Sequence, residues 1–439
     1  MGGKGMSPPR ITATFEIVTP MFLGGAEHEA SRIRGSAIKG ALAFWWRAYN
    51  FARFVKEAGG DHEAALEAMH EREKELFGSS DGGQGSFLLK VLPGKLTIIK
   101  AENHAILKNE NGGLKGSVVG IGVRYLGYGI LNAFHIKAKQ NRSEKKEGEL
   151  ERSCFAADVD GGRNTFSVQI AFRSKAASDD IDEIVHALKL FGLVGGLGSR
   201  VRRGWGSVVL TKLEFSGIEG QEDWQPPASR EAYSEVLQEL FKDHPLRELS
   251  GKDWLLTAFA SESAIWSGNS LHINGLDCLD ALGRAILNYR AMGRGGATQV
   301  GGQSILRQFK EDHDWFRLGS KSVDIPYRTA FGLPHMYDSK KGHGVVPSGE
   351  SERRASPILM HIHKAGNSYF PVITYLPTKF LDVDVQAARP LGSVTTPYDF
   401  FALSGRRSAS GEDVIKDFVG KGRGIFKANV VMKFDDVLP

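Results

Sequence analysis

Residues 195–206 read GGLGSRVRRGWG, a glycine-rich run holding Arg200, Arg202 and Arg203, with no acidic residue before Glu214. The run follows a helix predicted over 179–193, in which Ile181, Ile184, Val185, Leu188 and Phe191 share one side, and it precedes the strand-like GSVVLTKLEF. That order of helix, loop and strand is the strongest constraint in the chain. A Walker A loop and a dinucleotide-binding turn both run from a strand into a helix, and the Walker loop also needs a lysine after its glycines. Neither condition is met. What remains is glycine-exposed amides beside guanidinium forks, a combination that grips phosphate without chemistry. A basic turn pairing with acids of its own fold uses the same residues.

At 439 residues the chain exceeds one ordinary core. RITATFEIVTP alternates Ile11, Ala13, Phe15 and Ile17 against Thr12, Thr14 and Glu16, as a half-buried strand does. Helices are predicted over 36–54, with Ser36 as N-cap, and over 62–77. GSFLLKVL, SVVGIGVRYLGYG and TFSVQIAF are strand-like, and the charged AKQNRSEKKEGELERS between the last two reads as a mobile surface excursion. The principal elements run β-α-β-β-α-β, the ferredoxin-like plan. SGIEGQEDWQPPASR has linker composition, which divides the chain into 1–220 and 221–439. In the second part DWLLTAFA, SPILMHIHKAG and SYFPVITYLP are strand candidates and LDALGRAILNYRA a helix, a degenerate copy of the first plan. The expected fold class is α+β: two tandem ferredoxin-like (RRM-like) domains with insertions and a glycine-rich loop.

Composition narrows the function. A net charge of +5 on this length is only mildly basic, so any affinity for polyanions has to come from local patches. Cys154 and Cys278 can form neither a disulfide framework nor a zinc ribbon, and fit a reducing, cytoplasmic setting. No apolar run approaches the ~20 residues of a membrane span, and MGGKGMSPPR lacks the apolar core of a signal peptide.

In SAIKGALAFWWRAYN, helical spacing puts Ile38, Leu42, Trp45 and Tyr49 in one stripe, read as core. Lys39, Ala43, Trp46, Arg47 and Asn50 fall on the neighbouring face, where two cations beside an indole suit phosphate contact and base stacking. A solvated amphipathic face accounts for them equally well. His361 and His363 point the same way on a strand, but no Cys or HExxH pattern completes a zinc set, so a structural or RNA-facing pair is expected. Nothing singles out His28, His135 or His335 as a general base for RNA cleavage, and Asp61/His62 and Asp312/His313/Asp314 lie in charged segments read as surface. No catalytic residue, metal or cofactor is assigned. ERRAS (352–356), GRGG (293–296) and SGRRSASG (404–411) extend a positive track weakly.

TPMFLGGAEH, SAIKGALAFWWRA, LVGGLGSRVRRGWGSV, AFGLPH and RRASPILMHIHK together resemble the RAMP (repeat-associated mysterious protein) superfamily, and within it the first-numbered subunits of the type III-B CRISPR effector (Cmr) complex. These motifs run from about residue 19 to about 375. The resemblance implies tandem ferredoxin-like domains and a non-catalytic antiviral-defence protein. Such a protein holds the 3′ region of CRISPR RNA or the paired target single-stranded RNA and contacts neighbouring RAMP subunits. Mapped residue by residue, it implies RNA contact by Lys39, Trp46 and Arg47 in the first helix. In the glycine loop it implies contact by Gly196, Gly198, Ser199, Arg200, Arg202, Arg203 and Trp205. Arg353 and Arg354 follow in the second part, and Arg32 and Arg34 stand for the arginine-rich run before the first helix. The alternative is a metal-independent endoribonuclease, a role some RAMP relatives play.

Overall fold

The computed structural model describes residues 8–378 except 25–29, 31, 95, 110–116, 140–142, 160–161, 174–176, 243, 245–248, 255, 269–270, 291–298, 301–302, 305–326, 334, 339–342 and 348–352; beyond these it describes 385–388, 395–396, 415, 418–419 and 430–433. His28, Asp312, His313, Asp314, GRGG and SGRRSASG lie outside the described residues.

The first sheet has four antiparallel strands, β1 (Arg10–Ile17), β2 (Phe87–Pro93), β3 (Thr165–Phe172) and β4 (Val208–Ser216), in the order β4-β1-β3-β2. Alternation in β1 does what its pattern requires: Ile11, Ala13, Phe15 and Ile17 are all buried. Phe15 pairs with Phe166 across the ladder and stacks on it, with ring centroids 5.5 Å apart. α1 (Gly35–Glu57) and α4 (Ser178–Val194) supply much of the core beneath it, Phe191 of α4 meeting Phe15 edge-on at 5.0 Å.

A further layer covers α1. α2 (His62–Phe77), capped by Asp61 through the amides of Glu63 and Ala64, lays Met69, Leu76 and Phe77 into the same core. Asp61 is therefore a helix cap, and His62 packs edge-on against Trp254. The extra layer corrects the reading of Trp46. Its ring is fully buried against Phe54 and Phe77, and its Nε1–H donates to Glu183 Oε2 at 2.8 Å. Glu183 also takes Arg53 at 2.9 Å and Arg72 at 3.3 Å, so one buried carboxylate joins α1, α2 and α4. Trp46 cannot stack on a base.

The second sheet contains β5 (Ala264–Ser267), β6 (Ile358–Ala365), β7 (Ser368–Tyr375) and β8 (Val430–Lys433), ordered β6-β7-β5-β8 and antiparallel. Counted within each sheet and read from the matching edge, both have the strand order fourth-first-third-second, so β1 and β5 each lie between two partners inside their sheets. α6 (Gly275–Arg290) follows β5 as α1 follows β1. α5 (Arg230–Phe241) buries Tyr233 against Phe370 and His363. A smaller antiparallel sheet joins 335–338, 343–347, 385–388 and 395–396. No helix among the described residues is long and apolar enough to cross a membrane.

Three expected elements differ. SVVGIGVRYLGYG forms no strand: α3 (Ile121–Leu126) occupies it, because Asp280 of α6 accepts from the Gly122 and Val123 amides at 2.8 and 3.2 Å. DWLLTAFA forms no strand among its described residues: a 3₁₀ turn (Gly251–Asp253) ends on its first residue, and Trp254 packs on Phe51. The charged run after residue 137 is pinned by bridges between Ile136 and Lys145 and between Leu131 and Leu150, so it is no loose excursion over its described residues.

His361 and His363 are structural. Both are fully buried, with Nε2 of the first 3.3 Å from Nδ1 of the second, and His361 Nδ1 lies 2.8 Å from the Gly195 carbonyl oxygen. Burial drives both basicities down, His361 to about 3. Unfolded imidazoles titrate near 6.5, so the unfolded chain takes up these protons first. Stability is complete above that pH and falls as pH drops towards 3, by up to about 1.4 kcal/mol per pH unit for each ring. Urea midpoints between pH 7 and 5 should fall with more than one proton taken up on unfolding; a flat profile would contradict the buried neutral pair. Trp46→Ala should remove about 3–5 kcal/mol from unfolding free energy, read by denaturant titration; a loss under ~1 kcal/mol would mean the indole is not a core anchor.

Candidate nucleic-acid interface

The glycine loop sits between the sheets and is closed on itself. The Leu197 amide donates to the Gly206 carbonyl at 2.9 Å, and the Ser199 amide to the Phe22 carbonyl at 2.9 Å. Turns close from Arg203 N–H to Arg200 O and from Gly204 N–H to Val201 O, at 2.8 and 3.1 Å. Two glycines permit this closure. Gly198 (φ +93°) has the Phe22 carbonyl oxygen 2.6 Å from where a Cβ would stand, and a Cβ on Gly206 (φ +64°) would collide with the Leu197 carbonyl oxygen. Gly196 likewise meets the Gly206 carbonyl at 2.6 Å. Gly196 and Gly198 therefore serve chain-to-chain approach. Trp205, like Trp46, is corrected: it is fully buried, edge-on to Phe22 at 5.3 Å.

The arginines divide. Arg202 gives its carbonyl to the Met360 amide at 3.1 Å and its Nη1–H to the Ser356 carbonyl at 3.0 Å, with its guanidinium 5.5 Å from the Phe44 ring centre. Arg203 bridges Met360 through its backbone. Arg200 is exposed and sits at φ +63°, in the left-handed region that non-glycine residues seldom occupy. None of the three forms an ion pair among the described residues. Burial lowers the basicity of all three. Arg152 and Arg353 lower Arg200 further, and Arg200 and Arg290 lower Arg203. Arg354, pushed down to about 10, is affected first by burial and then by Arg202. These cations are crowded and partly desolvated, the electrostatic condition that favours an incoming anion.

Arg353 is exposed and Arg354 half-buried. Arg354 exchanges backbone bonds with Leu333 at 2.8 and 3.1 Å, so the AFGLPH and RRASP segments meet beside the loop. Arg152, Arg290 and Tyr125, the last acting on Arg203, escaped the sequence reading because each lies far along the chain from the 195–206 loop, and only folding brings them to it.

The first helix does face the loop, but through another side. Ala37, Ala41, Phe44 and Trp45 border an apolar pocket of about 260 Å³ shared with Leu197, Arg202 and Met360. Arg47 is turned away and paired with Glu73 of α2, which corrects its assignment as a free phosphate ligand. Lys39 is half-buried; Arg32 and Arg34 precede the helix, Arg34 exposed and donating to the Gly24 carbonyl at 2.9 Å. Among the described residues no group of three or more His, Cys, Asp or Glu side chains is placed to hold a metal.

Residues 14–209 match the sequence model of the RAMP superfamily, a stretch that takes in most of the first sheet, its helices and the glycine loop. The chain is also similar to Cmr1 proteins. Over 203 residues, 45% of this chain and 93% of the relative, it is 25% identical to CRISPR system Cmr subunit Cmr1-2 of Pyrococcus furiosus. The crystal structure of Cmr1 from Pyrococcus furiosus in its apo form aligns with a TM-score of 0.49 and 15% identity, covering 85% of this chain and 89% of that one. A chain of type III-B Cmr-beta bound to cognate target RNA aligns with a TM-score of 0.47 and 12% identity, covering 86% and 97%.

Gly206→Ala should open the loop. We expect a lowered Tm and faster proteolysis between residues 195 and 206; unchanged values would show that the Leu197–Gly206 closure is dispensable.

Proposed function

We propose that this protein is a non-catalytic RNA-binding subunit of a type III-B CRISPR (Cmr) ribonucleoprotein, formed by two tandem ferredoxin-like units that divide near residue 220. The observation that carries the proposal is the guanidinium cluster at the junction of the sheets: Arg200, Arg202 and Arg203 without carboxylate partners among the described residues, joined by Arg152, Arg290, Arg353 and Arg354. Phosphates of a single strand suit such a cluster, since guanidiniums bind them by paired donors. Similarity to a Cmr subunit supports the same reading and suggests the assembly: CRISPR RNA, with its paired target, and neighbouring RAMP subunits as partners in the cytoplasm. Arg200 and Arg353 are the accessible phosphate ligands, and Arg203 and Arg354 set the potential behind them.

Arg200→Ala with Arg353→Ala should weaken single-stranded RNA binding and reduce the slope of log K against log salt by about 0.7 for each phosphate that is no longer neutralised. An unchanged slope in a folded variant would remove the cluster from the interface. The endoribonuclease reading is tested by incubating the chain with labelled repeat RNA in EDTA. We expect intact RNA; discrete products that vanish on substitution of a single histidine would reverse the assignment.

A further inference from the structure

Tyr128 is 65% exposed, in the turn that follows α3. One exposed aromatic on a protein surface is ordinary; the placement of this one is not. Its neighbour Gly129 (φ +87°) has Arg200 Nη2 2.9 Å from where a Cβ would stand, so the Arg200 guanidinium lies against the backbone beside Tyr128. Tyr125, one turn earlier, reaches the surroundings of Arg203.

The base of this turn is firm. The Ile130 amide donates to the Gly127 carbonyl at 3.0 Å, Ile130 and Leu131 are buried, and Trp205 packs under Gly127. Asp280 ties α3 itself to α6. An exposed ring on a fixed base next to a cation is the pair of features by which sequence-tolerant single-strand binders hold bases: the ring meets the base, and the cation meets the phosphate. Trp46 and Trp205 are both buried, which leaves that role open for another aromatic.

We propose that Tyr128 is a stacking platform for one unpaired base of a single-stranded RNA, with the adjoining phosphate held at Arg200, Arg152 and Arg353. The assignment rests on the RNA-binding reading above and adds the class of strand it selects. A duplex hides its base faces within the stack, so this platform favours unpaired over paired RNA.

The test uses the full chain and two fluorescein-labelled single-stranded RNAs of about a dozen nucleotides, one uridine-rich and one of the same length with abasic sites throughout. Tyr128→Ala, Tyr128→Trp and Arg200→Ala variants with wild-type thermal unfolding are compared by anisotropy. Tyr128→Ala should weaken the uridine-rich strand on the order of tenfold and leave the abasic strand unchanged. Tyr128→Trp should bind the uridine-rich strand at least as well as wild type, and Arg200→Ala should weaken both. Equal weakening on both strands, or none on either, overturns the stacking assignment while leaving RNA binding intact. Wild-type protein that binds neither strand overturns the RNA-binding reading and the platform with it. A Tyr128→Ala variant with normal RNA affinity but no association with neighbouring Cmr subunits makes Tyr128 a protein contact and overturns the assignment.

Discussion

The bond from the Met360 amide to the Arg202 carbonyl holds the molecule together in an unusual place. β6 is the edge strand of the second sheet, and an edge strand presents unpaired backbone groups that a protein has to satisfy or cover. Here the glycine loop, which leads into β4 of the first sheet, does the covering. The Gly195 carbonyl accepts from His361, Ser207 Oγ accepts from the Ile362 amide at 3.1 Å, and Arg202 reaches the Ser356 carbonyl. Thr19 completes the seam, giving its hydroxyl hydrogen to the Gly204 carbonyl at 2.7 Å. The loop that carries the cations is thus also the structural joint, and its side chains are placed by two sheets at once.

That double duty explains how the arginines behave. A phosphate-binding loop free in solvent would keep its guanidiniums hydrated and ordinary. Wedged between sheets, Arg202, Arg203 and Arg354 lose water, and Arg203 meets the charges of Arg200 and Arg290 while Arg354 meets that of Arg202, an arrangement the fold tolerates because other bonds hold the loop in place. Their burial makes them poor at wide contact and effective at setting a local potential, whereas Arg200 and Arg353 remain accessible. A chain of net charge +5 thereby gathers several guanidiniums beside one loop.

Much of this was legible in the sequence because it was local. Period-two alternation placed β1 and β3, helical spacing placed α1, α2, α4 and α6, and the glycine-arginine run marked the loop. The second strand set, SPILMHIHKAG and SYFPVITYLP, was readable from its apolar runs. The failures were tertiary. Trp46 and Arg47 looked like an outward face because a helical wheel has no knowledge of α2, which covers that face and supplies Glu73. The β-branched and aromatic residues of SVVGIGVRYLGYG favour a strand, but Asp280, 158 residues from Gly122, caps α3 instead. Arg152 and Tyr128 belong to an insertion that no motif marked, and only folding carries them to Arg200.

The seam also has a consequence in time. Arg202 and its partner Ser356 are 154 residues apart, and Gly195 and His361 are 166 apart. At ~5–20 residues per second of synthesis, the first sheet waits on the order of ten to thirty seconds before β6 emerges to close against it. During that interval the loop's inward carbonyls and the apolar wall of α1 have only water or a chaperone to meet. The nascent chain is therefore most vulnerable after its first sheet is complete, and slower passage through the long middle segment lengthens that exposure.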